Sequence, residues 1–181
     1  MRRRRRALTP RQQKLAAQAL YQRLAPSPQF RFSRRLAFTI ASDGEISPHL
    51  LLAAASRRGK ACYLPVMNPI GPPRLRFRRW TPGAALRKGR YGILEPSHGS
   101  YCPARALDLV LLPLVAFDAA GNRLGMGKGF YDRTFAFMRG SARQYPVMLG
   151  LAHDCQQVDQ LDMASWDLPL RGVVTDAHWY A

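Results

Sequence analysis

The sequence predicts an α/β fold: a three-layer α/β/α sandwich on a Rossmann-like, mostly parallel sheet. Short apolar runs of strand length alternate with amphipathic stretches of helix length. The most hydrophobic run, Asp108 to Phe117, lies inside that series, where a central parallel strand belongs. With 181 residues, one domain spanning 1–181 is expected. Folds of this kind bind ligands outside the carboxyl ends of their strands.

Each element has its own signal. Thr9-Pro10 followed by Leu15, Ala16, Ala19, Leu20 and Leu24 supplies a cap, a first-turn proline and helical spacing, so a helix is expected over Pro10 to Leu24. Pro26 and Pro28 end it, and Leu36 to Ala41 reads as a buried strand. Ser47-Pro48 opens a second helix, His49 to Arg58, closed by Gly59. Ala61 to Val66 is the next strand. Arg74 to Trp80 alternates Leu75 and Phe77 with Arg74, Arg76 and Arg78, an edge or antiparallel strand with one basic face. Thr81 to Arg105 is rich in Gly and Pro without periodicity and reads as a long functional loop. After Asp108 to Phe117 come a glycine-rich turn, a helix over Phe130 to Met138 and a strand at Val147 to Leu151. A polar helical region around Gln156 to Leu161 and a last strand, Gly172 to Thr175, complete the chain.

Composition excludes several classes. Hydrophobic residues at 47% and charged ones at 22% describe a folded globule, not a disordered chain. No apolar run reaches the roughly 18 residues of a membrane helix, and Arg2 to Arg6 do not lead into a signal-peptide core. Three cysteines without a C-x-x-C pair encode neither a disulfide framework nor a zinc knuckle, so a reducing cytoplasm is expected. The four histidines are too scattered for a ligand set by local spacing and read as structural or solvated. A monomer without membrane partners is expected.

The formal charge is +17, and it is uneven. Residues 1–90 hold 21 Lys and Arg against Asp43 and Glu45, whereas residues 91–181 hold 7 against 9 acids. A basic face could serve nucleic acid, a membrane surface or a small polyanion such as ATP, and net charge alone does not choose. A nucleic-acid-binding protein on an α/β scaffold, without turnover, is the competing reading. No RNA-binding aromatic motif, zinc spacing or recognition-helix signature supports it.

The decisive segment follows the predicted central strand: Gly121-Asn-Arg-Leu-Gly-Met-Gly-Lys-Gly-Phe-Tyr-Asp-Arg133. Glycines at 125, 127 and 129 let backbone approach an anion, and the helix start that follows adds free N–H groups. Arg123, Lys128 and Arg133 turn a packing turn into a phosphate cradle. It is neither a Walker loop, since Gly129 follows Lys128, nor the dinucleotide fingerprint.

This segment resembles the signature of the 5-formyltetrahydrofolate cyclo-ligases, also called methenyltetrahydrofolate synthetases. The same family order surrounds it: Arg6-Ala-Leu-Thr9, Asp43-Gly-Glu45, Gly59-Lys60, Leu64-Pro65, Tyr91-Gly-Ile-Leu-Glu-Pro96, Val115-Ala-Phe-Asp118, Gly150-Leu151, Trp166-Asp167 and Val174-Thr175. The resemblance implies ATP- and Mg-dependent closure of 5-formyltetrahydrofolate to 5,10-methenyltetrahydrofolate, through a phosphorylated formyl oxygen and with release of ADP and phosphate. By motif position it implies that Arg123, Leu124, Gly125, Met126, Gly127, Lys128, Gly129, Phe130 and Tyr131 surround the nucleotide phosphates. Lys128, with Arg123, would neutralise the transferred group, and Asp132 and Asp167 would hold Mg2+. Ile40, Glu45 and Tyr91 would contact the folate, and Met126 to Phe130 would lie between the two substrates. The rival readings are that Asp132 caps a helix or pairs with Arg133, that Asp167 is a turn residue, Glu45 a solvated acid near the next helix start and Tyr91 a loop anchor.

In two places the chain departs from the family pattern. A Lys or Arg followed by an Arg four residues on, usual early in the first helix and directed at ATP, falls before Met1 when Arg6-Ala-Leu-Thr9 is aligned. Either the true start lies upstream, or Arg2 to Arg6 substitute, or nucleotide affinity is weakened. Position 128 is Lys where many relatives have Gly, which adds a phosphate-pairing charge.

Overall fold

The computed structural model describes residues 1–68, 70–139, 145–162, 164, 166–168 and 170–180. Along the chain run α1 (Arg2–Arg6), α2 (Pro10–Leu24), α3 (Pro28–Phe32), β1 (Arg35–Ala37), α4 (His49–Arg57), β2 (Ala61–Met67) and β3 (Leu75–Arg79). Then come β4 (Leu86–Lys88), β5 (Leu94–Pro96), β6 (Tyr101–Cys102), β7 (Leu109–Pro113), β8 (Ala116–Phe117) and β9 (Arg123–Leu124). The chain closes with α5 (Phe130–Thr134), β10 (Val147–Leu151), β11 (Gly172–Val174) and β12 (Trp179–Tyr180).

An eight-stranded sheet in the order β12-β11-β10-β7-β1-β2-β3-β6 forms the middle layer. Its pairings from β11 through β2 are parallel, and the outer ones, β12 on β11 and β3 on β2 and β6, are antiparallel. β7 lies between β10 and β1, the central place expected of the most hydrophobic run. Asp108 fixes where it starts: its Oδ2 accepts from the amides of Arg34 (2.7 Å) and Arg35 (2.8 Å), which locks the register of β1 beside β7.

Strand periodicity sorts the core onto two faces. Leu36, Leu64, Leu109, Leu111, Leu149 and Leu151 face α2 and α4, packing on Leu20, Leu24 and Leu51. Ala37, Phe77, Val110, Leu112 and Met148 face the other way, onto Leu107, Phe135 and Leu168. Helical structure therefore covers both faces, as the α/β/α prediction requires.

Helix α2 matches its predicted bounds. Thr9 and Gln12 form the reciprocal capping box, the Thr9 hydroxyl accepting from the Gln12 amide at 3.3 Å and Gln12 Oε1 from the Thr9 amide at 2.8 Å. β3 keeps the predicted alternation, with Leu75 and Phe77 buried and Arg76 exposed. It pairs antiparallel with β2 and carries the short β6 outside it.

Other expectations need correction. The strand expected over Leu36 to Ala41 ends at Ala37, because the chain turns there towards Asp43-Gly44. Thr81 to Arg105 is no structureless loop: β4 and β5 pair within it and β6 joins the sheet. The run Asp108 to Phe117 splits after Pro113, Ala116-Phe117 folding back as β8 onto β9. The helix expected to Met138 ends at Thr134 and resumes as a 3-10 turn over Ala136–Met138. The polar region after Gln156 is not helical; only a 3-10 turn, Asp154–Gln156, precedes it. The last strand stops at Val174, and β12 beyond it was not anticipated. Nor was α1, since five consecutive arginines carry no apolar periodicity.

Candidate functional site

Three segments meet at the carboxyl ends of the parallel strands: the turn after β1, the hairpin loop leading into α5, and the β4–β5 region.

Asp118 shapes the second segment. Almost fully buried, it accepts from the amides of Ala120 (3.1 Å), Asn122 (3.0 Å) and Leu161 (3.0 Å) and from Asn122 Nδ2 (2.9 Å). Satisfying four donors at once fixes the start of the loop and holds its carboxyl below the ordinary value despite burial, which opposes the shift. The chain then passes through β9 to Gly127 (φ 75°) and Gly129 (φ 60°), both left-handed, and Gly129 caps α5. Leu124 to Lys128 are exposed, leaving this backbone open to solvent.

Two of the loop's cations have internal partners. Arg123 is buried and pairs with Asp132, Nη2 to Oδ1 at 2.6 Å. Arg133 donates through Nη2 to the Lys128 carbonyl at 2.8 Å, bracing the glycine turn from beneath. Lys128 makes no ion pair among the described residues. Its ammonium lies 5.9 Å from the ring centroid of Tyr91, whose ring meets that of Phe130 edge-on at 6.5 Å. Tyr91 is 57% exposed and adopts φ 61°, an uncommon left-handed conformation that turns its ring towards the loop.

Asp132 therefore pairs with Arg123, not Arg133. Its Oδ1 also accepts from the Leu168 amide at 3.3 Å, which brings it against the segment carrying Asp167. Asp167 Oδ2 accepts from the Ala164 amide at 2.9 Å, the turn role weighed for it. Each carboxylate keeps one oxygen without a hydrogen bond among the described residues. Among the described residues no group of three or more His, Cys, Asp or Glu gathers there. Mg2+ takes one or two carboxylates and fills its octahedron with water and phosphate oxygens, so this donor set fits an ion shared with a polyphosphate and not an all-protein cage.

The turn after β1 holds Ile40, which packs partly buried on the core, and Asp43-Gly44-Glu45. Glu45 accepts from the Ser42 amide at 3.0 Å and lies 3.6 Å from Arg5. Burial pushes its carboxyl up, with Ser42 and Arg5 opposing. Burial pushes the Tyr131 hydroxyl well up, Glu45 adding to the shift and Arg123 opposing it.

What the sequence reading missed lies beneath. Arg5, 1% exposed, donates through Nε to the Asp43 carbonyl (2.9 Å), through Nη2 to Asp43 Oδ2 (2.9 Å) and through Nη1 to the Leu114 carbonyl (3.0 Å). Arg2 and Arg6 pair with the same Asp43. These hydrogen bonds, Arg2 first, hold the Asp43 carboxyl far below its ordinary value, against its desolvation. Gly44 packs so tightly that a Cβ there would lie 2.8 Å from the Arg5 carbonyl oxygen. Within a run of identical residues no sequence signal marks which arginine turns inward. The available clue was an acid-free helix facing the first two acids of the chain.

His153, also buried, has neither ring nitrogen hydrogen-bonded among the described residues. Burial depresses its imidazole, with Asp176 and the nearby Gly44 backbone opposing and Arg5 adding to the shift. A depressed folded value means stability present above the unfolded value of about 6.5 and lost as pH falls below it. The melting temperature is expected to drop between about pH 7 and about 5.5, and less so in His153→Gln. Glu45, raised by burial, acts in the opposite sense in both proteins and cancels in the comparison. Equal slopes would remove His153 as the cause.

Fold and site define an α/β protein with a cation-bearing glycine loop at the carboxyl ends of a parallel sheet, flanked by a partly buried glutamate and an exposed tyrosine. The model of the 5-formyltetrahydrofolate cyclo-ligase family matches residues 1–176. The 5-formyltetrahydrofolate cyclo-ligase of Escherichia coli (strain K12) is 41% identical over 177 residues, covering 97% of this chain and 96% of that one. That of Haemophilus influenzae is 38% identical over 165 residues, 90% and 87% of the two chains. The solution structure of Aquifex aeolicus 5,10-methenyltetrahydrofolate synthetase superposes with a TM-score of 0.82 at 28% identity, covering 98% of this chain and 87% of that one. The chain belongs to the 5-formyltetrahydrofolate cyclo-ligase family.

Proposed function

We propose that the protein, acting as one cyclo-ligase domain and as a monomer in the cytoplasm, converts 5-formyltetrahydrofolate and ATP into 5,10-methenyltetrahydrofolate, ADP and phosphate. The observation that carries this reading is the meeting of Lys128 and Phe130 with Tyr91, beside a loop whose backbone is open to an anion. A formamide oxygen is a poor leaving group. Transfer of the γ-phosphoryl group to it gives an imidoyl phosphate; the folate N10 then attacks that carbon, and the C–O bond breaks to expel phosphate. Such chemistry depends on positioning and on neutralising charge.

In this reading the backbone from Arg123 to Tyr131 cradles the phosphates and the Lys128 ammonium neutralises the transferred group. Arg123, buried and bound to Asp132, keeps the loop closed and adds positive charge beneath it. Glu45 receives N–H donors of the pterin, for which an acceptor-only carboxylate is suited. Tyr91 and Phe130 offer ring faces, with Ile40 as an apolar neighbour and Met126 to Phe130 between the substrates. Asp132 and Asp167 would hold Mg2+, which supplies charge neutralisation on the phosphate oxygens when bound.

The test is direct: protein, ATP, Mg2+ and 5-formyltetrahydrofolate are mixed and near-ultraviolet absorbance of the methenyl product is followed. Absence of product with any of the three small molecules omitted, and its formation with all present, is expected; no product at all would sink the reading. Asp132→Asn keeps shape and one acceptor but removes the charge. It is expected to lower kcat by about 10²-fold or more and to raise the Mg2+ concentration needed for half-maximal rate. An unchanged Mg2+ requirement would remove Asp132 from the metal.

A further inference from the structure

A cavity of about 460 Å³ opens at the carboxyl end of β2, lined by Arg76, Arg87, Lys88 and Arg90. Among the described residues none of these four makes an ion pair. Like charges around one opening repel each other, and an anion with more than one charge relieves that repulsion. The lone acid in the lining, Glu95, is buried and accepts from the Met67 amide at 3.0 Å, so it secures the cavity floor. A Cβ at Gly89 would lie 2.2 Å from its carboxyl carbon, so the β4–β5 hairpin closes over Glu95 only with glycine there.

The walls are held in place. The Arg76 guanidinium lies 3.6 Å from the ring centroid of Tyr101, on which Arg78 also packs at 4.5 Å. Arg78 Nη1 donates to the carbonyls of Pro96 (2.8 Å) and Ser97 (2.9 Å), tying the hairpin to β3. Arg90 directs its guanidinium to within 5.4 Å of the Tyr91 ring centroid, the ring that Lys128 approaches from the glycine loop. The Tyr91 ring thus lies between Arg90 of the cavity wall and Lys128 of the loop.

We propose that this cavity binds the dicarboxylate end of the folate, with Arg76, Arg87, Lys88 and Arg90 as the carboxylate partners. The inference rests on the folate reading above. A flat ligand packed on Tyr91 with its reacting end at the loop extends its other end towards Arg90, and guanidinium forks match carboxylates in pairs. The triphosphate has the glycine loop and its own cations, which leaves this second basic cluster to the second substrate.

Calorimetry on the full-length protein compares 5-formyltetrahydrofolate with 5-formyltetrahydropteroate, which lacks the glutamate. Wild type is expected to bind the glutamate-bearing ligand about ten-fold or more tightly. In Arg87→Gln/Lys88→Gln that preference falls to about two-fold or less, with ATP affinity unchanged. Both positions are exposed, and a thermal melt checks that the variant folds; Arg90→Gln serves if it does not. Equal wild-type affinities, or a preference that survives the substitutions, would overturn the cavity assignment. Weakened ATP binding would give the cluster to phosphates and overturn it as well. If wild type binds neither folate, the folate reading itself fails and the cavity assignment falls with it.

Discussion

Lys128→Ala is expected to lower kcat for methenyl formation by about 10²-fold or more while leaving the melting curve in place. The two halves of that expectation have separate grounds. Lys128 is exposed, packs into no core cluster and pairs with no carboxylate among the described residues, so its removal costs the fold little. Its ammonium stands on a left-handed glycine turn between Gly127 and Gly129, where it can follow a phosphoryl group as charge builds on the oxygens. Charge stabilisation present only in the transition state appears in kcat and much less in KM. Lys128→Arg retains the charge and is expected to recover part of the rate. Full activity in Lys128→Ala would hand the neutralising role to Arg123 and the backbone amides alone.

Arg5→Ala is expected to destabilise the protein by about 3 kcal/mol and to raise KM for the folate more than it lowers kcat. Removing the buried Arg5 takes a partner from the part-buried Asp43 carboxylate, and the Leu114 carbonyl loses a donor in the interior. Asp43 retains Arg2 and Arg6, which keeps the loss at the lower end of the range for buried pairs. The turn carrying Glu45 is then held by fewer bonds, so the pterin contact proposed for Glu45 is expected to suffer before the proposed phosphoryl step does. Urea unfolding and initial rates check the two parts. Arg5→Lys, with charge but no fork, should recover stability only in part. A variant of wild-type stability with an unchanged folate KM would refute the clamp.

How much of this was legible in the sequence depended on the range of the forces involved. Helix α2 announced itself because Thr9, Pro10 and Gln12 act within one turn, and β3 because Leu75 and Phe77 alternate with arginine. The central place of β7 followed from a run apolar on both faces. The site loop was visible because its glycines and cations are contiguous. The strand after Arg35 was drawn too long because Phe38 is as buried as Leu36 and its amide still donates to the Tyr63 carbonyl at 2.9 Å, although the strand itself ends at Ala37: burial continues past the point where the chain turns away. The β4–β5 hairpin was hidden because it is held by Arg78 reaching Pro96 and Ser97, and by Glu95 under Met67. The pairing of Arg123 with Asp132 in preference to the neighbouring Arg133 likewise depends on how β9 and α5 face one another.

The global charge misled for a related reason. As a total it invited nucleic acid, yet three of the first arginines converge on one aspartate, and Arg23 caps the carbonyls of Thr175 (3.1 Å) and Asp176 (2.9 Å). Part of the basic excess in the first half is thus engaged by partners within the fold.

Arg5 reaches Leu114, and through it a carbonyl that Gln156 also holds at 2.9 Å. On the ribosome, where residues are added at about 5–20 per second, Arg5 emerges many seconds before that carbonyl exists. Until then the N-terminal arginines have Asp43 and Glu45 as partners, and the turn they grip lacks its anchor at Leu114, just past β7. The turn carrying Glu45 therefore matures late in synthesis, once the strand at the middle of the sheet has been delivered to a helix made first.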